Sequence, residues 1–168
     1  MNRYQLAKFV SWAGRLQSRK RMQKVVFMLQ AAGCPIPANY YLHHYGPYSD
    51  EVARLADEMV RNGLLTESEG EVMGNVTYSY RLPDLTSQQL QSLEQTEQGI
   101  KWAGELAPFE AKAKRLLGVE VRQLEYASTI LFFKQQGNDW DQAVEKAEKF
   151  KKTTAVRDAL PLAKEVLA

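Results

Sequence analysis

The chain has 168 residues, of which 45% are hydrophobic and 25% charged, and this composition is typical of a soluble protein of one domain or slightly more. No stretch approaches the roughly 20 apolar residues of a membrane-spanning helix, and residues 1–20 do not resemble a signal peptide, so we expect no membrane association. The single cysteine, Cys34, excludes an intrachain disulfide bond and favours a cytoplasmic location.

The net charge of +2 is unevenly distributed along the chain. Residues 1–63 contain nine Lys and Arg residues against four Asp and Glu residues. Residues 64–110 contain two against eight, and residues 111–168 contain eleven against eight. A basic first third fits a surface that faces phosphate groups. An ordinary solvated surface explains the same excess equally well.

The first two predicted elements are helices, each with one apolar face. We place the first over about residues 4–16, and the second from residue 18 or 19 to residue 32, where Gly33 ends it. A stiff connector follows, because neither Pro35 nor Pro37 can donate a backbone hydrogen bond. The densest basic cluster of the chain lies where the two helices meet and comprises Arg15, Arg19, Lys20, Arg21 and Lys24.

The stretch from His43 to Ser49 organises the first half of the chain. The aromatic run over residues 40–45 predicts a short strand. Gly46–Pro47 predicts a turn, because glycine tolerates positive φ and proline fixes φ near the value of a helix entry. Ser49 is then the N-cap of a helix that ends at Gly63, with acidic residues in its first turn. The residues of this structural motif are His43, Tyr45, Gly46, Pro47, Tyr48 and Ser49.

A β-hairpin is predicted after this helix. Residues 64–71 and 76–82 form its strands, and the second alternates apolar and polar residues as a half-buried strand does. Gly74–Asn75 is the favoured turn, with Gly70 as the alternative. A helix that leads into such a hairpin resembles the last helix and wing of winged helix-turn-helix proteins.

The remainder of the chain is predicted to be helical. Two capping boxes, Thr86 with Gln89 and Asp139 with Gln142, mark the starts of two of its helices. In chain order we expect a helix from residue 86 that is interrupted around residues 96–99, a short helix over residues 108–118, a long apolar helix over residues 119–136, a helix from residue 139, and a last helix within residues 154–167.

These elements predict an α+β fold that is mostly helical. We expect a winged helix-turn-helix domain over residues 1–83. A helical extension over residues 84–168 then packs on that domain or on a dimer partner. Homodimerisation is expected, because such modules often bind paired half-sites and the C-terminal helices are apolar enough to associate.

Several segments resemble a known family. Residues 20–29 carry a Lys-x-x-Gln-Lys helix and residues 43–49 a Tyr-Gly-Pro turn, and both resemble the YwgA-like family of uncharacterised prokaryotic proteins. Residues 124–133 and 140–144 resemble the same family. A more distant resemblance is to the Panacea-type domain of some antitoxins. Panacea relatives imply antitoxin or adaptor work through a protein partner, and winged-helix relatives imply DNA binding.

No residue pattern predicts catalysis, a cofactor or a metal ion. His43 and His44 are neighbours on a predicted strand, so their side chains would point to opposite faces, which is unsuitable for joint metal binding. The chain has no phosphate-binding loop, nucleophile elbow or zincin helix. Ser49 is better explained as a helix cap than as a nucleophile. We therefore expect a protein that is not an enzyme.

Two functions remain open. The first is a regulatory module, either a DNA-binding regulator or an antitoxin-like one; the second is a protein-interaction adaptor of winged-helix fold without DNA binding. Four acidic residues on the helix before the hairpin oppose a phosphate backbone, which argues against docking through that helix. If double-stranded DNA is bound, the phosphate contacts are expected from Arg15, Arg19, Lys20, Arg21, Lys24, Arg54 and Arg61.

Overall fold

A computed structural model describes residues 1–168, with the side chain of Val72 left outside the description. The helices are α1 (Arg3–Ala13), α2 (Arg19–Ala31), α3 (Asp50–Arg61), α4 (Asp84–Leu93), α5 (Glu97–Leu106), α6 (Glu110–Leu117), α7 (Val121–Gln135), α8 (Trp140–Lys151) and α9 (Leu160–Leu167). The strands are β1 (Leu16–Gln17), β2 (Tyr41–His43), β3 (Gly46–Tyr48), β4 (Thr66–Val72) and β5 (Asn75–Arg81). Within the described chain, no helix is both long enough and apolar enough to cross a bilayer.

Two small antiparallel sheets accompany the helices. The larger has the strand order β1–β5–β4, with Leu16 opposite Tyr80 and Thr66 opposite Arg81. The smaller is the β2–β3 hairpin, in which Tyr41 lies opposite Tyr48. The prediction of a mostly helical α+β fold is confirmed.

Helix α1 ends earlier than predicted. Gly14, at φ +64°, follows its last residue, and the chain then extends so that Leu16 can pair with β5. Leu16 is buried because this short strand covers the core. Helical spacing therefore predicts Leu16 as part of a helix, although it belongs to a strand. The second predicted helix closely matches α2, whose N-cap is Ser18.

The region around Gly46–Pro47 differs from its prediction. The chain reverses direction at His44 and Tyr45, and Gly46 and Pro47 already lie in β3. The glycine correctly indicated a tight bend, and Gly46 has a positive φ of +89°. It did not show that the next residues pair with β2.

Helix α3 and the hairpin after it are as predicted. The Ser49 hydroxyl accepts a hydrogen bond from the Val52 amide at 3.3 Å, and Asp50 and Glu51 occupy the first turn. Strands β4 and β5 pair along their whole length, with the turn at residues 73–74, one residue before the favoured position. Gly70, the alternative turn residue, lies within β4.

In the second half, the Asp139–Gln142 capping box is confirmed. The predicted interruption is present, but it lies at residues 94–96, and residues 97–99 already belong to α5. The Thr86–Gln89 box is wrong: α4 begins at Asp84 after Pro83, and Thr86 is buried inside the helix. Helix α7 is the central element, because it packs against α2, β3, α8 and α9. The division into two domains at residue 83 stays a prediction.

Candidate recognition surface at the aromatic hairpin

The β2–β3 hairpin presents a cluster of aromatic rings to solvent. We call residues 41–48 the aromatic hairpin. Tyr41 is 46% exposed and Tyr45 50% exposed. The ring centroids of His43 and Tyr48 are 5.4 Å apart, and those of His44 and Tyr45 are 4.9 Å apart. Rings that contact one another laterally while leaving their outer faces exposed form a ready apolar and hydrogen-bonding surface.

Two buried polar side chains of α2 hold the base of the aromatic hairpin. The side-chain amide of Gln23 donates to the Ser49 carbonyl at 3.0 Å and accepts from the Ser49 amide at 2.9 Å. The ammonium group of Lys24 donates to the Pro47 carbonyl at 2.7 Å. The last two residues of the Lys-x-x-Gln-Lys pattern therefore bind the backbone of the Tyr-Gly-Pro-Tyr-Ser segment.

Helix α7 supports the other side of the hairpin at Gly46. A Cβ atom at position 46 would lie 2.6 Å from the Thr129 hydroxyl oxygen, which is too close for any side chain. That hydroxyl donates to the Glu125 carbonyl at 2.7 Å and is fixed by this bond. Glycine is required at position 46 for both its positive φ and this close approach.

An ion network ties the hairpin tip to the C-terminal helices. Glu125 pairs with Lys20 at 3.1 Å and also with Lys151. The ammonium of Lys151 donates to the His44 carbonyl at 3.2 Å. The Lys20 ammonium lies 4.0 Å from the centroid of the Tyr45 ring, a cation–π contact. Residues from α2, α7 and α8 therefore fix the position of the exposed rings.

Lys24 is the most unusual ionisable group of this region. It is 2% exposed. Burial is the main cause that lowers its pKa to about 7; the charge of Glu125 opposes this shift, and the charges of Lys151 and Lys20 add to it. Its proton is therefore held less firmly than that of a solvated lysine.

A pocket with a volume of about 230 Å³ opens beside the aromatic hairpin. Its walls come from α2, the hairpin, α3 and β5. The lining residues are Arg19, Lys20, Met22, Gln23, Lys24, His43, Tyr45, Tyr48, Ala53, Ala56, Asp57 and Tyr80. Aromatic rings and cationic side chains thus meet in a single concave site.

The predicted phosphate contacts are dispersed over several environments. Arg19 pairs with Glu67 at 2.8 Å and donates to the Tyr80 hydroxyl at 2.7 Å. The hydrogen bond that Arg19 donates to Glu67 raises the pKa of Arg19, and burial opposes this shift. Arg15 donates to the Ser79 hydroxyl at 3.1 Å.

Arg21 is used within the fold. Its guanidinium donates to the Leu117 carbonyl at 2.7 Å and to the Val119 carbonyl, which places it against the end of α6. Lys20 and Lys24 have the partners given above. In contrast, Arg54 and Arg61 are exposed on α3. Asp57 of the same helix lies 3.8 Å from Arg19.

Sequence reasoning missed the roles of Gln23, Glu125 and Lys151. The helical pattern correctly placed all three on helices, but their partners lie 26 to 107 residues away along the chain. The one available signal for Gln23 was the family resemblance, in which the Gln-Lys pair of the helix occurs together with the Tyr-Gly-Pro segment. His43 and His44 are exposed, and no group of three His, Cys, Asp or Glu side chains in the described chain could hold a metal ion.

The chain is 29% identical over 128 residues to the uncharacterized protein YwgA of Bacillus subtilis (strain 168). The aligned segment covers 76% of this chain and 72% of YwgA. The chain is similar to YwgA. The resemblance to YwgA-like proteins that the motifs predicted is thereby confirmed, while the resemblance to Panacea-type domains stays a prediction. YwgA brings no biochemical role with it, since its name records only that it is uncharacterized. No family model matches the chain.

Proposed function

We propose that the protein is a non-enzymatic regulatory module that acts as a protein-interaction adaptor, with the aromatic hairpin as its partner-binding surface. One observation carries this proposal: exposed rings stand on a hairpin that three helices hold in place. Aromatic side chains are enriched among the residues that dominate protein interfaces. A rigid scaffold increases the affinity that such side chains provide, because little conformational entropy is lost when a partner binds.

We further propose that residues 1–83 form a winged helix-turn-helix fold. The order α1–β1–α2–α3–β4–β5, with β1 paired to β5, supports this assignment. The β4–β5 hairpin would be the wing and α3 the second helix of the motif. The aromatic hairpin is then an insertion between α2 and α3.

The internal partners of the basic cluster favour a protein over DNA as the partner. Of the cluster, Arg19 and Lys20 pair with carboxylates, Arg21 binds backbone carbonyls and Lys24 is buried. DNA binding depends on cations that can neutralise phosphates and release counterions. Groups already neutralised within the fold contribute little to that process.

DNA binding is the second candidate function, and α3 favours it. Arg54, Arg61 and Asn62 are exposed at one side of this helix. Such side chains can bind phosphates and base edges. Glu69 and Glu71 on the proposed wing oppose this function, since both are exposed and acidic. An antitoxin-like role would agree with either partner.

The adaptor proposal is tested by removing two rings. In the Tyr41→Ala/Tyr45→Ala variant, we expect loss of a partner that the wild-type chain retains at high salt, where phosphate contacts are screened. A matched control is Leu85→Ala/Ile100→Ala, which removes exposed apolar side chains from α4 and α5. The partner is then purified and its affinity measured for the three chains. Equal affinity for all three would remove the hairpin as the binding surface.

DNA binding is tested with Arg54→Ala/Arg61→Ala. If α3 binds DNA, this variant loses affinity for all sequences and its affinity depends less on salt concentration. Lys20→Ala/Arg21→Ala tests the basic cluster in the same assay. Unchanged affinity and salt dependence in both variants would exclude these contacts.

Homodimerisation remains a proposal, and light scattering that gives the monomer mass at high protein concentration would reject it.

A further inference from the structure

We propose that the pocket beside the aromatic hairpin binds a small aromatic carboxylate, with its ring against the tyrosine and histidine side chains and its carboxylate at Lys24. This inference goes beyond the proposed adaptor function. Tyr45 belongs to both sites, but the two proposals can fail separately, because one is tested by the affinity for a protein partner and the other by benzoate binding that depends on Lys24.

The first argument is the unbalanced charge of Lys24. A buried ammonium is normally paired with an acidic group, because transfer of a lone charge from water is costly. Glu125, the carboxylate whose charge acts on Lys24, pairs with Lys20 and Lys151 instead. Within the described chain, Lys24 makes one hydrogen bond, to the neutral Pro47 carbonyl, although an ammonium has three donors. An anion in the pocket would supply the missing partner.

The second argument is the shape and lining of the pocket. Its volume of about 230 Å³ exceeds the ~150 Å³ of a cavity that accepts benzene. It therefore has room for one ring with an acidic substituent. His43, Tyr45 and Tyr48 offer faces and edges for stacking, and Met22 and Ala56 add apolar wall.

The third argument is the charge at the pocket mouth. Arg19 and Lys20 line the pocket together with a single acidic residue, Asp57. Asp57 lies 3.8 Å from Arg19, so its charge is already compensated. Arg19 and Lys20 are themselves paired with Glu67 and Glu125, so Lys24 is the cation without a carboxylate partner among the described lining residues. An approaching carboxylate meets no unpaired acidic group there.

The experiment uses benzoate as the probe and benzamide as its uncharged analogue. We expect benzoate to bind the wild-type chain in calorimetry, and benzamide to bind at least about tenfold more weakly, because a charge-assisted hydrogen bond is lost. Lys24→Met should lower benzoate affinity by a similar factor. Lys101→Met, which removes an exposed lysine on α5, should leave it unchanged.

A second measurement does not depend on the variant folding. In amide-correlated NMR spectra of the wild-type chain, benzoate should shift the signals of Gln23 and Gly46. Shifts confined to other regions, or an absence of shifts at saturating benzoate, would refute the site. Equal affinity of Lys24→Met and wild type for benzoate would refute the role of the ammonium.

Binding should also depend on pH. Benzoate prefers the charged form of Lys24, whose pKa is about 7, so affinity should fall by up to about tenfold per pH unit above that value. The other charged or titratable groups that face the site are Lys20, Glu125, Lys151, Arg19, Asp57, His43, Tyr45, Tyr48 and Tyr80. His43→Phe should keep this pH dependence and Lys24→Met should lose it. The opposite pattern would assign the titration to His43.

Discussion

Lys24 carries an ammonium group with almost no access to solvent. The group stays in the core because it fixes the carbonyl of Pro47 at 2.7 Å and so orients the strand β3. The energetic consequence is a proton that is held weakly, since burial disfavours the charged form. Because Lys24 also lines the pocket, its ammonium group is the proposed partner of an anion bound there.

We predict that Lys24 makes the stability of the chain depend on pH. Its folded pKa of about 7 lies below the ordinary value of 10.5, so between these values the unfolded chain binds more protons than the folded one. The free energy of unfolding should therefore rise with pH across this window, by at most about 1.4 kcal/mol per pH unit from this group. Lys24→Met should lack that rise.

Urea unfolding at pH 6, 7.5 and 9 measures this effect. The difference between wild type and Lys24→Met should shift in favour of the wild type as the pH increases. Lys101→Met is the control, and it should follow the wild type at every pH. Parallel curves for wild type and Lys24→Met would show that the buried amine does not titrate in this range.

At the scale of elements, the aromatic hairpin depends on contacts with helices that are distant in sequence. Gln23 of α2 hydrogen-bonds the backbone of Ser49, directly after the hairpin. The Thr129 hydroxyl of α7 lies so close to Gly46 that no side chain fits there. Helix α3 begins immediately after the hairpin, with Ser49 as its N-cap. A shift of the hairpin would therefore also displace the start of α3.

We predict that Gly46→Ala destabilises the fold more than Gly63→Ala. Both glycines have positive φ, +89° and +70°, which costs an alanine roughly 1–2 kcal/mol. Only position 46 adds a steric clash, because the Thr129 hydroxyl oxygen lies 2.6 Å from the added Cβ atom and position 63 is open. Overpacking of this kind costs a further ~1–3 kcal/mol.

Thermal or urea unfolding of the two variants measures the difference. Thr129→Ala in the Gly46→Ala background should recover part of the lost stability, because it removes the clashing atom. Equal destabilisation by Gly46→Ala and Gly63→Ala would mean that the hairpin does not approach α7 closely.

We predict that Gln23→Met destabilises the chain by about 1–3 kcal/mol, because it leaves the buried amide of Ser49 without a partner. The Ser49 carbonyl loses one of its two hydrogen bonds and keeps the one from the Ala53 amide. Methionine has a similar volume, so the loss reports hydrogen bonding more than packing. Gln17→Met, at an exposed position of β1, is the control. Hydrogen exchange should also accelerate at the first turn of α3 in the Gln23 variant. Unchanged unfolding and exchange would contradict this role.

At the scale of the whole molecule, Glu125 connects the two halves of the chain. It lies on α7 and pairs with Lys20 from α2 and Lys151 from α8. Burial would raise the pKa of Glu125, but the hydrogen bonds from Lys151 and Lys20 outweigh burial and hold it below its ordinary value. The two lysines therefore keep the Glu125 carboxylate charged where α2, α7 and α8 meet.

We predict that Glu125→Gln destabilises the chain at pH 7 by about 2–4 kcal/mol, because two partly buried ammonium groups lose their partner. A carboxylate with a lowered folded pKa stabilises the fold fully above its unfolded value of 4.5 and loses this contribution as the pH falls through the folded value. The deficit of Glu125→Gln should therefore shrink below about pH 4.5. Urea unfolding at pH 7 and pH 3.5 measures it.

Glu145→Gln is the control for this change. Glu145 pairs with Lys149 four residues later on an exposed helix face, so its loss should have little effect at either pH. A deficit of Glu125→Gln that is constant with pH would show that the charge of Glu125 is not what matters.

The sequence by itself determined the elements whose signals are local. The Ser49 cap, the Gly63 stop and the alternation in β5 predicted a helix and a hairpin that agree with the structure to within one or two residues. The Asp139–Gln142 box likewise marked the start of α8. Each of these signals acts between residues at most a few positions apart, so it is visible in the order of residues alone.

Only the tertiary structure decided which residues share the site. The sequence predicts Lys24 in a basic surface cluster, although the hairpin buries it, and predicts a turn at Gly46–Pro47, although both residues lie in strand β3. Whether a lysine is solvated or buried depends on elements that approach from distant parts of the chain, here the hairpin and α7. Charge pairing and burial are properties of that three-dimensional neighbourhood, and local periodicity carries no record of them.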